Sequence, residues 1–152
     1  MYYRHTQRGT LILVGMLLTM FALFLIALSQ ESLRLPLLAA LPVPASLLAV
    51  FHSLTVEICD NSVKCFFGIG LIRKEIPLSD IQSSRAVRNP WYSGWGIRWM
   101  PGQYWLWNVS GMGAVELQLK NGSRFRIGTD EPETLARAVE AYGTMFTKQR
   151  QA

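Results

Sequence analysis

Residues 10–28 read TLILVGMLLTMFALFLIAL, a run of 19 residues without a charge or a proline. At about 1.5 Å per residue, an α-helix of this length spans roughly 30 Å, the thickness of the hydrocarbon core of a bilayer. Half of the 152 residues are apolar and only 16% are charged, which is typical of a chain with lipid-facing segments. The run is therefore predicted to be a transmembrane helix.

The residues on either side of this run predict its orientation. Arg4 and Arg8 precede it, and under the positive-inside tendency they put the N-terminal end in the cytoplasm. A cleavable signal peptide is the alternative, because Ala27 and Ser29 are small residues at a spacing that signal peptidase accepts. The apolar run exceeds the roughly 7 to 15 residues usual in such peptides, so a retained membrane helix is preferred.

A second apolar run follows a short polar connector and is interrupted by Pro36, Pro42 and Pro44. Proline kinks a helix, and neighbouring groups in a membrane helix can compensate for the lost hydrogen bond. We predict a second, kinked span that closes a helical hairpin; a re-entrant or interfacial segment is the alternative. The chain then divides into residues 1–53, with transmembrane helices at about 10–28 and 35–53, and a cytoplasmic domain of residues 54–152.

From residue 54 the apolar pattern changes to a period of two, which predicts β-strands. Asp60 and Asn61 form the turn of a first hairpin, and a two-residue loop there sets the register of its strands. The predicted opposing pairs are Ile58 with Val63, Glu57 with Lys64, and Val56 with Cys65. Cys59 and Cys65 then lie on opposite faces, so no disulfide between them is expected.

Further strands are predicted over residues 71–78, 81–87, 105–107, 114–120 and 124–128. The last two form a hairpin around Asn121 and Gly122. A three-residue loop over 121–123, with the glycine in the left-handed conformation, keeps charge off the apolar face. It pairs Leu119 with Phe125 and Leu117 with Ile127.

An amphipathic helix is predicted at the C-terminal end. Asp130 is the predicted N-cap, Pro132 lies in the first turn, and Glu133 completes a capping box. Apolar side chains then recur at helical spacing: Leu135, Ala138, Val139, Tyr142, Met145 and Phe146. This helix is expected to seal one end of the sheet.

All five tryptophans lie between residues 89 and 108, among glycines and prolines that indicate loops and short strands. Trp and Tyr favour membrane interfaces, because the ring is apolar while its polar atom stays hydrated. The predicted membrane-interface or ligand residues are Arg88, Trp91, Tyr92, Trp95, Arg98 and Trp99. The alternative is that the rings fill the core, with Trp105 or Trp107 as the best candidates.

The net charge of +5 is concentrated between residues 73 and 126, where eight basic residues accompany three acidic ones. Lys120, Arg124 and Arg126, near Glu116, are predicted to form a basic face. Each basic residue near an anionic headgroup adds about 1 kcal/mol of attraction. The alternative is a solvated surface that keeps the domain soluble, and nucleic acid is a poor fit because no recognition motif accompanies the charge.

No catalytic residue, cofactor site or metal site is predicted. The chain has two cysteines and two histidines, and His5 and His52 are too far apart in sequence to suggest a metal site. It has no nucleophile motif and no phosphate-binding loop, so an enzyme is the least favoured class.

Several phrases of the sequence resemble bacterial membrane proteins with a pleckstrin-homology-like (PH-like) domain. They are SLTVEI (53–58), FGIGLIRKEIPLSDI (67–81), GWGIR (94–98), VSGMGAVEL (109–117) and RIGTDEPETL (126–135). The resemblance implies a membrane α-hairpin plus a β-rich PH-like barrel of about seven antiparallel strands, capped by a C-terminal α-helix. It implies little about activity, and the short, acidic turn at Asp60 departs from the basic inositide-binding loop of eukaryotic PH domains.

The expected function is that of a non-enzymatic integral protein of the bacterial inner membrane. Its cytoplasmic PH-like domain is expected to dock on the membrane surface or bind anionic lipid headgroups, without a cofactor. The alternative is an accessory or scaffold subunit whose domain binds another membrane protein, for example by adding a strand to an open sheet edge.

Overall fold

A computed structural model describes the backbone of residues 3–149 and the side chains of residues 3–145. Within this part of the chain, the strands are β1 (Tyr3–Arg8), β2 (Ser53–Cys59), β3 (Ser62–Phe67), β4 (Arg73–Pro77), β5 (Ile81–Arg88), β6 (Gly96–Met100), β7 (Tyr104–Asn108), β8 (Gly113–Leu119) and β9 (Arg124–Gly128). The α-helices are α1 (Thr10–Ser29), α2 (Arg34–Ala40), α3 (Pro42–Phe51) and α4 (Pro132–Gln149). The side chain of Phe146, predicted for the apolar face of α4, lies outside the described residues.

Among the described residues, two helices are long and apolar enough to cross a membrane: α1, and the helical segment Glu31–Phe51 that contains α2 and α3. Few of their side chains are buried, among them Ala27 and Pro44, whereas Leu35 is 79% exposed. α1 packs against α2 and α3. α2 ends just before Pro42, so the predicted interruption of the second helix at its prolines is confirmed.

The residues before α1 form a strand, although their sequence predicted only the flank of the first span. β1 pairs antiparallel with β2, with His5 opposite Val56 and Gln7 opposite Leu54. Because β1 leads into α1 and α3 leads into β2, the two helices begin and end beside the same sheet. The sheet domain therefore contains residues from before the helices, whereas the sequence-based division assigned all of 1–53 to the helical segment.

The β2–β3 hairpin has the predicted register. Ile58 lies opposite Val63, Glu57 opposite Lys64, and Val56 opposite Cys65. Asp60 and Asn61 have φ values of 50° and 64°, as a two-residue turn with both central residues in the left-handed region requires. Cys59 and Cys65 are both free, as expected.

The strands form two sheets that are not closed into a barrel. The first has the order β1-β2-β3-β4 and the second the order β5-β8-β9-β7-β6. β4 and β5 are consecutive but do not pair, because the short 3₁₀ helix Leu78–Asp80 carries the chain from one sheet to the other. The described residues contain nine strands, and β7 runs parallel to β9. The N-terminal helices, the two sheets and the C-terminal helix agree in part with the predicted α-hairpin and β-rich domain. The sheets are not closed into the predicted barrel of about seven antiparallel strands, and one of the strand pairings is parallel.

The additional strands are β1 and β6. Glycines and Pro101 around β6 indicated a loop, and its first residue, Gly96, has a φ of 95°. β6 nevertheless pairs antiparallel with β7, with Trp99 opposite Trp105. It is an edge strand, so one of its sides carries no neighbouring strand of the sheet. Short, glycine-rich edge strands give a weak period-two signal, which explains the omission.

The β8–β9 hairpin has a three-residue loop, but the predicted register is displaced by two residues. Leu117 lies opposite Phe125 rather than Ile127, and the Leu119 N–H donates to the Ser123 carbonyl at 2.9 Å. The loop is therefore 120–122, with its left-handed position at Gly122, whose φ is 84°. A displacement by two keeps every side chain on its predicted face, because side chains alternate with period two.

The core lies between the two sheets and α4. Trp107 is 7% exposed and contacts Phe67 and Phe125, so it is the tryptophan that fills the core, while Trp105 is 44% exposed. α4 begins at Pro132, one residue later than an N-cap at Asp130 would require. The Asp130 prediction is therefore wrong: its carboxylate accepts a hydrogen bond from the His5 ring instead.

Candidate functional site

The helices leave the sheets at one place, which we call the helix base and define by Gly9, His52 and Ser53. Gly9 directly precedes α1, and its N–H donates to the His52 carbonyl at 2.7 Å. A Cβ on Gly9 would lie 3.0 Å from the Phe51 carbonyl oxygen, so glycine permits this close approach. The helix base is therefore where the two helices that are long and apolar enough to cross a membrane join the sheets.

Exposed aromatic side chains lie beside the first turn of α1. Trp91 and Trp95 line a cavity of about 380 Å³ together with Leu11. Their side chains are 83% and 44% exposed, and Tyr92, whose ring meets Trp91 edge-on, is 67% exposed. A 3₁₀ turn over Trp91–Ser93 presents these rings. Three of the predicted aromatic residues therefore lie at the level of the helix base.

Two predicted arginines accompany these rings. Arg88 ends β5 opposite Gly113, whose neighbour Met112 also lines the cavity. Arg98 reaches back over the turn, because its Nη2 atom lies 3.0 Å from the position of a Cβ on Gly94. Both side chains are exposed. We call Arg88, Trp91, Tyr92, Trp95 and Arg98 the aromatic corner.

Trp99 does not belong to the aromatic corner. It is the residue after Arg98 in β6, so the two side chains point to opposite faces of the sheet. Its ring lies 5.1 Å from the Trp105 ring, and the two are 52% and 44% exposed. The predicted interface set is therefore divided into the aromatic corner and a separate tryptophan pair at the open edge of the second sheet.

A second apolar group at the helix base was not predicted as a site. The turn after β3 lies against the end of α3, because a Cβ on Gly68 would overlap the carbonyl oxygens of Ala49 and Val50. The following Ile69 and Leu71 are 66% and 72% exposed. The signal in the sequence was two large apolar residues in a glycine-containing turn, where side chains are usually polar.

The predicted basic face does not form one surface. β8 runs from Gly113, near the aromatic corner, for seven residues to Leu119, so Lys120 lies about 20 Å along the strand direction from Gly113. Arg124 is also at that far end, at the start of β9. Arg126 is a correction to the prediction, because its side chain is only 13% exposed and forms an ion pair with buried Glu116.

Glu116 is the centre of a charged network on the second sheet. It lies opposite Arg85 on one neighbouring strand and Arg126 on the other. Its Oε1 accepts from Arg85 Nε at 3.0 Å and its Oε2 from Arg126 Nε at 2.7 Å. Burial acts to raise the pKa of Glu116, but the hydrogen bonds and charges of the two arginines outweigh it and leave the pKa below its usual value.

The network continues from Arg126 to the aromatic corner. The Arg126 Nη1 donates to Asn89 Oδ1 at 3.1 Å, and its guanidinium carbon lies 3.6 Å from the centre of the Tyr104 ring. Asn89 is 3% exposed and lines the same cavity as Trp91. The charge network therefore holds Asn89 in position in the wall of that cavity.

Polar contacts also join β1 to the start of α4. His5 Nε2 lies 2.6 Å from Asp130 Oδ1, and His5 Nδ1 lies 3.9 Å from Glu131 Oε2. Burial, with the charges of Glu131 and Asp130, raises the pKa of Tyr3 to about 12, so this phenol is neutral at physiological pH. These contacts join the N-terminal strand to the residues that directly precede α4.

The thiol and metal chemistry of the described residues is limited. Burial raises the pKa of the Cys65 thiol to about 12, which keeps it protonated, and it donates to the Lys74 carbonyl. Among the described residues, no three His, Cys, Asp or Glu side chains are grouped so that they could hold a metal ion.

Comparisons of the chain with protein families, curated proteins and solved structures give no match. The resemblance to PH-like membrane proteins stays a prediction from the sequence phrases. Function is therefore inferred from the helix base and the side chains around it.

Proposed function

We propose that the chain is a non-enzymatic integral membrane protein whose sheet domain docks on the surface of the bilayer that its helices cross. The observation that carries this proposal is the pair of exposed apolar groups at the helix base. The aromatic corner lies beside α1, and Ile69 and Leu71 lie beside the end of α3. Both groups meet the bilayer at the depth where the helices enter it.

The physical chemistry of these groups matches a lipid interface. Transfer of a side chain such as Ile69 or Leu71 out of water is favourable by about 1.5 to 3 kcal/mol when burial is complete. Tryptophan rings prefer the headgroup level, where the indole N–H remains hydrated. Arg88 and Arg98 add about 1 kcal/mol each where the headgroups are anionic. The two helices already hold the domain next to the bilayer, so these small favourable free energies are enough to orient it.

The proposed setting is the cytoplasmic face of the bacterial inner membrane. Arg4 and Arg8 lie in β1, next to the helix base, and the connector between the helices has one acid, Glu31, and one base, Arg34. The positive-inside tendency therefore favours the cytoplasm for the sheet domain. Pairing of β1 with β2 requires that both ends of the helical hairpin are on the same side.

Labelling of Cys59 tests the proposed side. This thiol is partly exposed at the hairpin tip, whereas Cys65 is buried. We expect a membrane-impermeant maleimide to modify the wild-type protein in inside-out but not right-side-out vesicles, and Cys59→Ser to abolish the labelling. Labelling in right-side-out vesicles alone would put the domain on the outer side and contradict the proposal.

Quenching by brominated lipid tests docking of the full chain in nanodiscs. Bromines near the headgroup end of the acyl chains quench indoles at the interface. We expect Trp91→Phe with Trp95→Phe to remove at least half of the quenched fluorescence. The matched control is Trp99→Phe with Trp105→Phe, which removes two exposed indoles away from the helix base and is expected to leave the quenched component unchanged.

A second candidate function is an accessory subunit that binds another membrane protein. The observation that favours it is the exposed pair formed by Trp99 in β6 and Trp105 in β7. β6 is an edge strand, to which a partner strand can be added. The nanodisc experiment separates the two functions. Quenching that is unaffected by the Trp91 and Trp95 substitutions would overturn surface docking and favour a protein partner.

A further inference from the structure

The cavity at the aromatic corner contains two buried polar groups without a partner. Asn89 and Ser93 line it and are 3% and 1% exposed. Among the described residues, neither the Asn89 Nδ2 nor the Ser93 Oγ has a hydrogen-bond partner. A buried donor without an acceptor costs about 1 to 3 kcal/mol, so two of them beside one cavity favour the binding of a group that supplies acceptors.

The orientation of the Asn89 amide follows from its neighbour. Arg126 can only donate hydrogen bonds, and its Nη1 lies 3.1 Å from one end of the amide, which must therefore be the oxygen. The NH₂ end is then the unpartnered one, and it can only donate. Ser93 contributes a hydroxyl that also donates. The ligand group that satisfies both is rich in acceptor oxygens.

The surroundings of the cavity restrict the ligand further. Leu11, Trp91, Trp95 and Met112 give it apolar walls, and Leu11 belongs to the first turn of a helix that is long enough to cross a membrane. The Arg98 guanidinium lies close to Gly94, which lines the cavity. Its volume of about 380 Å³ is at the small end of the range for ligand pockets. This space suits one lipid headgroup, with its acyl chains continuing along α1.

We propose that this cavity is a binding site for the anionic phosphate headgroup of a single membrane phospholipid. Asn89 and Ser93 donate to its phosphate or ester oxygens, and Arg98 pairs with its negative charge. The Glu116–Arg126 network positions Asn89 for this contact. The inference rests on the proposed docking function and names the lipid group that the docked domain binds.

Thermal unfolding of the full chain in detergent micelles, titrated with dihexanoyl phosphatidylglycerol, tests the site. A ligand that binds the folded state raises Tm in a saturable way. We expect Ser93→Ala and Asn89→Asp each to raise the apparent Kd at least tenfold, because one removes a donor and the other places an anion beside the phosphate. Ser79→Ala and Asn121→Asp are matched exposed controls and should bind like the wild type.

Ser93→Ala keeps the test decisive even if Asn89→Asp fails to fold. The hydroxyl it removes has no partner, so in the absence of lipid the variant should unfold at the wild-type Tm or slightly above it. An unchanged lipid Kd in Ser93→Ala overturns the proposal. Equal stabilisation by inorganic phosphate or glycerol 3-phosphate also overturns it, because the ligand would then be a soluble phosphate.

Failure of the headgroup site can be told apart from failure of membrane docking. Brominated-lipid quenching of the wild-type chain, compared with Trp91→Phe and Trp95→Phe, reports docking without any substitution in the headgroup site. Normal quenching without saturable stabilisation means that the domain docks but has no headgroup site. Quenching that does not depend on Trp91 and Trp95 contradicts the docking function itself.

Discussion

Replacement of Glu116 by glutamine is expected to lower the free energy of unfolding by about 2 to 3 kcal/mol at neutral pH. Loss of one partner from a fully buried ion pair costs roughly 3 to 5 kcal/mol, because the remaining charge is left without compensation. Arg126 is only 13% exposed and suffers this cost, whereas Arg85 is 66% exposed and can be hydrated, which reduces the total. Denaturant unfolding of the full chain in micelles, followed by circular dichroism, measures the change.

The stability difference between the wild type and Glu116→Gln is expected to depend on pH. The pKa of Glu116 is lowered in the folded protein below its usual value of 4.5, so its carboxylate stabilises the fold above that value. As pH falls below 4.5 and through the lowered pKa, the wild type loses this contribution. The glutamine variant never has it. We therefore expect the stability difference to be constant near neutral pH and to shrink towards zero in acid.

Glu75→Gln is the control for this prediction. Glu75 also accepts hydrogen bonds, from Ser62, and lies 3.5 Å from Lys64, but its side chain is 57% exposed. Water replaces lost partners at such a site, so we expect a much smaller loss of stability than for Glu116→Gln. A Glu116→Gln effect no larger than that of Glu75→Gln, or one that persists in acid, would contradict the account of the network.

Local patterns in the sequence were sufficient for the helices and the first hairpin. The apolar run at 10–28 specifies α1 through length and composition alone. Asp60 and Asn61 specify the β2–β3 register, because a two-residue turn leaves one pairing that puts apolar side chains on one face. In both cases the information lies within about 20 residues of chain, which is the range that periodicity and turn chemistry cover.

Features that depend on distant pairing were not predictable in the same way. β1 is polar and its partner is separated from it by the whole helical hairpin, so no local pattern identifies it. The parallel pairing of β7 with β9 is likewise decided by how the sheets pack. The predicted and observed registers of the β8–β9 hairpin differ by two residues and put the same side chains on the apolar face. The alternation of apolar residues therefore could not distinguish them.

The candidate site was predictable in composition but not in arrangement. The concentration of tryptophans drew attention to residues 89–108, yet only the fold separates the aromatic corner from the Trp99 and Trp105 pair. Asn89 and Ser93 carried no signal, because a buried unpartnered donor is defined by three-dimensional surroundings. Glu116 was expected on an outer face, and it is buried because Arg85 and Arg126 cover it.

Replacement of Gly68 by alanine is expected to destabilise the protein by about 3 kcal/mol or more. The residue has a φ of 43°, and left-handed backbone costs a non-glycine residue roughly 1 to 2 kcal/mol. A Cβ there would also overlap the carbonyl oxygens of Ala49 and Val50, which are backbone atoms of α3 and cannot rotate away. Overpacking of this kind adds about 1 to 3 kcal/mol.

Gly70→Ala separates these two contributions. Gly70 has a φ of 84°, but a Cβ there would meet nothing closer than the Phe66 ring at 4.0 Å. It therefore carries the conformational cost without the overlap, and we expect a loss of only about 1 to 2 kcal/mol. The excess loss in Gly68→Ala, measured by denaturant unfolding, reports the contact between the turn and α3.

The contact at Gly68 also relates the stability of the turn to the proposed docking. The Gly68 N–H donates to the Ser53 carbonyl at 2.9 Å, so displacement of the turn moves Ile69 and Leu71 away from the helix base. We expect a fluorescent label on Ile69→Cys, in a background without Cys59, to lose its quenching by brominated lipid when Gly68→Ala is added, and to keep it with Gly70→Ala. Equal stability and equal quenching of the two glycine variants would contradict this account. The contact with α3 would then not position the turn after β3, and Ile69 and Leu71 would not be held at the bilayer surface.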